Sequence, residues 1–162
     1  MKSIALIGMP GCGKTTIGKL LAEKLDFSFI DMDTFIEESF RTTIKELFSV
    51  SEEHFRDCES KVCETLSSRE RAVISTGGGV IKRENNILNL KKNCIVVFID
   101  RSVDDILSDI DFCSRPLLAK DHKENLMRLY SERYNLYKKY CDLLVKNNVP
   151  LEELVDVIIS KL

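Results

Sequence analysis

Residues 8–15, with the sequence Gly-Met-Pro-Gly-Cys-Gly-Lys-Thr, constrain the fold of this chain more than any other stretch. They follow the pattern G-x-x-x-x-G-K-T, in which glycines let several backbone N–H groups turn inward around an anion without obstruction by a Cβ atom. An apolar run at residues 3–7 precedes the pattern, and apolar residues at helical spacing follow it. A strand, a glycine loop and a helix in this order indicate a P-loop that binds phosphate at the helix N-terminus.

The P-loop pattern assigns roles to particular side chains. Lys14 places a cation against the outer phosphates of a nucleotide, and the Thr15 hydroxyl can ligate the Mg²⁺ that accompanies it. Because Cys12 lies beside a lysine at a helix N-terminus, we expect its thiol to be the first one alkylated when nucleotide is absent. The alternative is a small residue that the loop merely tolerates. The predicted ATP-binding residues of the loop and the start of its helix are Gly11, Cys12, Gly13, Lys14, Thr15 and Thr16.

The overall composition excludes several classes of partner. The 162 residues include 24 Lys and Arg against 26 Asp and Glu, a net charge of −2 with both signs interspersed, so no basic stripe favours nucleic acid or an anionic membrane. Apolar runs are too short to span a bilayer, and the six cysteines form no C-x-x-C pair, as is typical of free thiols. We expect one soluble, cytoplasmic domain over residues 1–162.

Apolar runs that are typical of buried strands alternate with helical patterns along the chain. The predicted strands are residues 3–7, 27–31, 72–75, 94–100 and 143–145. Helical patterns follow the P-loop, cover residues 34–38, 51–68 and 124–140, and begin again after Pro150. This alternation predicts an α/β fold with a doubly wound, five-stranded parallel sheet and helices on both faces, of the P-loop NTPase type.

Polar and glycine residues follow two predicted strands, at the sheet edge where open α/β folds bind ligands. Asp31 and Asp33 follow the second strand, and the alternative is that one or both only cap the next helix. Gly77, Gly78 and Gly79 follow the third strand, where three successive glycines indicate close approach of the backbone to a ligand. The alternative for these glycines is a flexible turn.

Three charged residues fall on or beside the apolar faces of predicted helices. Glu59 lies within the stripe of the 51–68 helix, and Arg56 lies at its border three residues earlier, so the two can pair. A structural ion pair and a substrate clamp are both consistent with this spacing. Arg133 lies in the middle of the apolar face of the 124–140 helix without an acidic residue at i−4, i+3 or i+4, which favours a role in binding an anion.

Two further segments contain polar residues whose function the sequence leaves undecided. Asp100 ends the fourth predicted strand and could hold magnesium, but Ser102 and Asp105 resemble a capping box, which favours a role for Asp100 in the turn only. Residues 109–123 lack periodicity and are typical of a mobile lid, from which Arg115 could close onto phosphates. His122 in this segment is interpreted as a solvated loop residue rather than a base.

Taken together, these features resemble the shikimate kinase family over nearly the whole chain. The resemblance rests on residues 8–15, Asp31-x-Asp33-x-x-Ile36-Glu37, Phe55-Arg56-x-x-Glu59, the glycines at 77–79, Arg115-Pro116-Leu117-Leu118 and Arg133-x-x-Leu136-Tyr137. It implies an enzyme that phosphorylates the 3-hydroxyl of shikimate with ATP and Mg²⁺, in the pathway to aromatic amino acids. It also implies a lid at about residues 109–123 and a substrate-binding helical region at about residues 33–60, and we expect a monomer.

The resemblance implies roles for the residues at the nucleotide. Lys14 and the loop amides hold the ATP phosphates. Thr15 ligates Mg²⁺ directly, and Asp31 does so through water. Arg115 moves in from the lid toward the transferred phosphoryl group, so the predicted catalytic residues are Lys14, Asp33 and Arg115.

For the acceptor, the resemblance implies that Asp33 accepts hydrogen bonds from shikimate hydroxyls. Arg56 and Arg133 pair with the shikimate carboxylate, and Glu59 orients Arg56. The predicted substrate-binding residues are therefore Asp33, Arg56, Glu59, Gly77, Gly78, Gly79 and Arg133.

This chain departs from the family pattern at Ser108, where the family often carries an arginine that lies on the adenine. The frequent R-x-P-L-Y motif also lacks its proline here.

Other functions fit these residues less well. Another small-metabolite kinase, such as a gluconate kinase, has less use for two arginines directed at a carboxylate. A regulatory module that binds ATP without turnover leaves Asp33, Arg56 and Arg133 without a role. An N-K-x-D motif for guanine is absent from the sequence, which is evidence against a GTPase.

Overall fold

A computed structural model describes residues 1–109 and 116–162 of the chain, with the side chains of residues 116–120 excepted. Five strands form one sheet in which every pairing is parallel, in the order β2-β3-β1-β4-β5. The strands are β1 (Ser3–Ile7), β2 (Ser28–Asp31), β3 (Ala72–Ser75), β4 (Cys94–Asp100) and β5 (Leu143–Lys146). The predicted five-stranded, doubly wound α/β fold is therefore confirmed.

Eight α-helices connect and cover these strands in the described parts of the chain. They are α1 (Lys14–Leu25), α2 (Met32–Phe40), α3 (Ile44–Val50), α4 (Glu52–Leu66), α5 (Glu84–Lys91), α6 (Val103–Ser108), α7 (Pro116–Tyr140) and α8 (Leu151–Lys161), and a 3-10 helix covers Val80–Lys82. Helix α1 packs against α8, while α4 packs against α5, which also contacts β4. The connection from β1 to β2 and the connection from β3 to β4 run in opposite directions along the sheet. Because such crossovers are right-handed, α1 and α5 lie on opposite faces of the sheet.

The centre of the sheet is β1, which pairs with β3 on one side and β4 on the other. All five of its residues are buried, because helices cover both faces of a parallel sheet. Leu6 is in register with Ser75 of β3 and with Val97 of β4. The P-loop therefore begins at the carboxyl edge of the sheet, between the ends of its two neighbouring strands.

The structure differs from the sequence prediction in the helices. Helix α7 begins at Pro116, not at residue 124, so the second half of the predicted irregular segment is helical. Proline is favoured in the first turn of a helix, and residues 121–125 are all exposed, so they carry no apolar stripe that periodicity could detect. The sequence prediction also lacked α3 and α5. Helix α3 has seven residues and buries only Leu47, too few for a periodic pattern.

Within residues 1–109 and 116–162, no helix has the length and apolar character needed to cross a bilayer.

Candidate active site

The P-loop joins β1 to α1 through a backbone that only glycine adopts without strain. Gly11 has φ 79° and Gly13 has φ 100°, both in the left-handed region. Gly13 is also the N-cap of α1, and no side chain caps this helix end among the described residues. The first N–H groups of α1 therefore remain available for an anion, as predicted.

Lys14 is folded over the loop in which it lies. Its Nζ donates hydrogen bonds to the carbonyl oxygens of Gly8 at 2.8 Å and Met9 at 2.9 Å, and the residue is only 8% exposed. These two carbonyls hold the ammonium group over the loop. Its contact with the outer phosphates of a nucleotide stays a prediction.

Thr15, Asp31 and Ser75 bring three side-chain oxygens together at the strand ends. Thr15 Oγ1 donates to Asp31 Oδ2 at 3.3 Å and lies 3.4 Å from Ser75 Oγ. Asp31 also caps α2, because its Oδ1 accepts the Thr34 N–H at 3.1 Å. The capping alternative for Asp31 is thus correct, but it leaves Oδ2 directed at Thr15. A hydroxyl and a carboxylate side by side match the oxygen ligands that Mg²⁺ prefers.

A cavity of about 450 Å³ opens at this edge of the sheet and connects the P-loop with the residues after β2 and β3. It is lined by Pro10, Gly11, Gly13, Lys14, Thr15, Thr16, Asp31, Asp33, Ser75, Thr76, Gly77, Gly78, Arg101 and Asp109. The structure therefore brings most of the predicted nucleotide-binding residues into one space with both aspartates and two of the three glycines.

Asp33 lies in the first turn of α2, so the capping alternative does not apply to it. Its carboxylate is accessible from the cavity, yet the surrounding protein atoms and then the charge of Asp31 raise its pKa, while Lys14 and Arg56 oppose the shift. A Cβ added at Gly77 would stand 3.3 Å from Asp33 Oδ1 and 3.1 Å from Glu59 Oε2. The absence of a side chain at Gly77 therefore lets the two carboxylates approach the same loop.

Arg56 and Glu59 form a buried ion pair beside that loop. Arg56 Nη1 donates to Glu59 Oε1 at 2.8 Å, and the two residues are 9% and 0% exposed. Burial raises the pKa of Glu59, and Arg56 opposes the shift. Glu59 Oε2 and Arg56 Nε are buried without a hydrogen-bond partner among the described residues, although Arg56 Nε lies 3.5 Å from Glu52 Oε1.

The guanidinium of Arg56 occupies the space that a side chain at residue 79 would need. A Cβ added at Gly79 would collide with Nη1 and Nη2 of Arg56. On its other side the guanidinium carbon lies 5.0 Å from the ring centroid of Phe55 and 5.9 Å from that of Phe48. Stacking on aromatic rings and the pair with Glu59 fix this cation in place.

Arg133 lies on α7, and its Nε is buried without a hydrogen-bond partner in the described part of the chain. Its role in binding an anion stays a prediction. One turn later, the Tyr137 hydroxyl donates to the Gly78 carbonyl at 2.5 Å. Burial raises the pKa of Tyr137 to about 12, and Arg133 opposes this shift. Helix α7 is therefore tied to residues 77–79 through a fully buried tyrosine.

Several predictions from the sequence are not met or lie outside the description. Arg115 lies outside the described residues. Cys12 is fully buried, so the structure does not favour it as the first thiol to be alkylated; Cys141 is the only partly exposed one among the described cysteines. Ser102 caps α6 by accepting the Asp105 N–H, as predicted, and Asp100 accepts the Tyr130 hydroxyl at 3.1 Å.

Sequence reasoning missed four residues at the site, namely Ser75, Arg101, Tyr137 as a loop contact, and Asn147. Asn147 follows β5 and donates from Nδ2 to the Cys12 carbonyl at 2.9 Å. Arg101 follows β4 and donates to the Gly11 carbonyl at 3.1 Å and to Asp109 at 2.5 Å. Their position directly after predicted strands was the available signal. His122 lies on α7 rather than in a loop.

Comparison with known proteins agrees with this arrangement. The family profile described as shikimate kinase matches residues 10–162. A shikimate kinase of Clostridium botulinum (strain Eklund 17B / Type B) is 52% identical over 152 residues, covering 94% of this chain and 92% of the relative. The crystal structure of shikimate kinase from Bacteroides thetaiotaomicron is similar with a TM-score of 0.87 at 28% identity, covering 99% of each chain. Shikimate kinase from Acinetobacter baumannii in complex with shikimate has a TM-score of 0.86 at 32% identity, covering 99% and 94%.

Proposed function

This chain belongs to the shikimate kinase family, and on that premise we propose which of its residues bind ATP, which bind shikimate and which act on the transferred group. The reaction is the ATP-dependent phosphorylation of the 3-hydroxyl of shikimate, in the pathway to the aromatic amino acids. The family match does not favour the alternatives of a gluconate kinase or a non-catalytic ATP-binding module.

The ATP phosphates bind to the N–H groups of Gly11 to Thr16, with Lys14 beside them. In that state Lys14 Nζ exchanges the carbonyls of Gly8 and Met9 for phosphate oxygens. Thr15 would hold Mg²⁺ directly and Asp31 would hold it through water, and the ion would supply charge neutralisation at the phosphates. This assignment is supported by the 3.3 Å contact between the Thr15 hydroxyl and the Asp31 carboxylate, since Mg²⁺ prefers oxygen ligands of these kinds.

Shikimate binds between the P-loop cavity and the Arg56–Glu59 pair. Its carboxylate pairs with Arg56 and Arg133, and the backbone of Gly78 and Gly79 lies alongside. Glu59 holds Arg56 in orientation. The observation that carries this proposal is that Arg133 Nε is buried without a hydrogen-bond partner among the described residues, and that Arg56 Nε has only a 3.5 Å ion-pair contact with Glu52 Oε1. Buried nitrogens with incomplete hydrogen bonding are costly unless a ligand satisfies them.

Asp33 orients the attacking hydroxyl first and accepts its proton second. A loose phosphoryl-transfer transition state requires little general-base work, so positioning and charge neutralisation by Lys14 and Arg115 supply most of the catalysis. Residues 109–123 act as a lid that excludes water, which would otherwise compete as the acceptor. The protein acts as a single-domain monomer in the cytoplasm.

A coupled ADP-release assay with and without shikimate, repeated over a panel of polyhydroxy acids, tests this function. We expect ADP release that depends on shikimate and falls sharply for acceptors without a carboxylate. ATP binding without release under any acceptor would favour the non-catalytic module, and a preference for gluconate would favour the other kinase.

A further inference from the structure

Carbonyl oxygens of the P-loop accept hydrogen bonds from one side chain of the loop itself and from two side chains elsewhere in the fold. Lys14 binds the Gly8 and Met9 carbonyls, while Arg101 donates to the Gly11 carbonyl at 3.1 Å. Asn147 donates to the Cys12 carbonyl at 2.9 Å. Of these, Asn147 does not line the nucleotide cavity, so its effect on the loop can be separated from direct contact with a ligand.

The rigidity of Asn147 comes from the sheet. Its backbone N–H donates to the Asp100 carbonyl at 2.7 Å, directly after the paired residues Asp100 and Lys146. Its side-chain amide packs closely on the loop, since a Cβ added at Gly13 would stand 3.0 Å from Nδ2. The end of β5 is thus fixed against the turn that enters α1.

A peptide plane links the Cys12 carbonyl to the N–H of the next residue. In a trans peptide the C=O and N–H bonds point in opposite directions, so a donor that holds the Cys12 oxygen outward turns the Gly13 N–H inward. Gly13 lines the cavity beside Lys14. A glycine with φ 100° has no side chain to restrict this plane, so the orientation depends on the contact with Asn147.

We propose that Asn147 is a positioning residue for the nucleotide, which aligns the Gly13 N–H with the phosphates by holding the Cys12 carbonyl. Arg101 donates to the carbonyl of the preceding peptide plane, but the Cys12 N–H of that plane donates to the Met9 carbonyl at 3.1 Å, so the proposal concerns Asn147 alone. The ligand class that depends on this contact is a polyphosphate, whatever base it carries. The inference rests on the proposed binding of ATP phosphates by the P-loop.

The test compares Asn147→Ala with Asn147→Asp in the full-length chain, using calorimetric titration with inorganic tripolyphosphate, ADP and shikimate. We expect the alanine variant to bind tripolyphosphate and ADP about fivefold more weakly, as for loss of one hydrogen bond. The aspartate variant has the same size but sets a carboxylate against the Cys12 carbonyl, so its loss should exceed roughly tenfold. Shikimate affinity should change by less than about twofold in both.

Asn93→Asp is the matched control, because Asn93 Nδ2 also donates to a backbone carbonyl, that of Arg69 at 2.7 Å, away from the cavity. This variant should lose thermal stability without loss of tripolyphosphate affinity. If the aspartate variant does not fold, Asn147→Gln replaces it in the comparison with Asn147→Ala. Because glutamine keeps an amide donor, this variant should recover part of the polyphosphate affinity that the alanine variant loses.

The inference is overturned if Asn147→Ala binds both polyphosphates like the wild type, or if it weakens ADP but not tripolyphosphate. Equal weakening of shikimate and polyphosphates would also overturn it, since that indicates a general structural defect. Failure of the wild-type chain to bind tripolyphosphate at all would instead contradict the proposed phosphate site itself.

Discussion

At the proposed nucleotide end of the site, three P-loop carbonyls accept hydrogen bonds from Lys14 and Asn147, whereas at the proposed acceptor end buried atoms of three charged side chains have no hydrogen-bond partner in the described chain. In the first region, side chains of the protein itself satisfy these backbone carbonyls. The second keeps two cations and a carboxylate whose hydrogen bonding is incomplete. The difference indicates that phosphate binding depends on a preformed backbone, while acceptor specificity depends on buried charges that a ligand completes.

Among the variants that test this difference between the two ends, Lys14→Met should have the largest effect on activity. Loss of the cation should lower kcat/KM for ATP by about 10³, the upper size for loss of one preorganised charge at a transferred group. If the two ends are independent, shikimate affinity measured by calorimetry should stay within about threefold. A parallel collapse of shikimate affinity would show that the two ends are one coupled unit. Lys19→Met, on the same helix, is the control for loss of a lysine.

Asp33 lies where the two ends meet, and Asp33→Asn should reduce kcat by about 10² or more, in line with acid-base and orientation effects. KM for ATP should change little, because the P-loop contacts are unaffected. Unaltered turnover in this variant would remove Asp33 from the mechanism.

The pH dependence of the Asp33→Asn variant provides an independent readout. The pKa of Asp33 is raised in the fold, so the folded state binds its proton more tightly than the unfolded state does. Stability from this group is therefore lost as pH rises through the raised pKa, and the acid limb of activity lies above the usual range for aspartate. We expect Asp33→Asn, measured by thermal denaturation, to stabilise the protein at about pH 7 relative to the wild type and to have no such effect at about pH 3.

A third variant tests the acceptor end alone. Arg133→Ala should raise KM for shikimate about tenfold to a hundredfold, as for loss of a charged hydrogen-bond donor, with KM for ATP nearly constant. Arg128→Ala removes an exposed arginine from the same helix and should leave both constants unchanged. A normal shikimate KM in Arg133→Ala would show that this arginine is structural and that the contrast between the two ends is wrong.

The smallest effect concerns the link between α7 and the glycine loop. Tyr137→Phe leaves the Gly78 carbonyl without its donor, which should cost about 1 kcal/mol of unfolding free energy and raise the shikimate KM a few-fold. The matched variant Tyr140→Phe removes a hydroxyl that accepts a long hydrogen bond from Lys139 at 3.4 Å, and it should change neither quantity. Denaturant titration and steady-state kinetics measure both, and equal behaviour of the two variants would contradict the proposed link.

The sequence predicted those parts of the fold where a local pattern matches a buried environment. Strand β1 and helix α1 were predicted because apolar runs and glycine spacing are local signals, and Arg56 and Glu59 because a charged pair interrupts an apolar stripe. The predicted beginning of α7 was wrong because the first turns of this helix are exposed and therefore carry no apolar stripe. Asn147 and the Tyr137 contact were missed because a side chain that holds a distant carbonyl leaves no periodic pattern; only the folded sheet brings residues 12 and 147, or 78 and 137, together.

The central position of β1 has a consequence for synthesis of the protein on the ribosome. Strand β1 leaves the exit tunnel first, but its two neighbours in the sheet are residues 72–75 and 94–100. Both edges of this apolar strand therefore stay unpaired until the ribosome has translated the chain as far as β3, and one edge stays unpaired until it has translated β4. During translation this apolar strand is therefore exposed over a long stretch of synthesis, which makes chaperone contact with it advantageous.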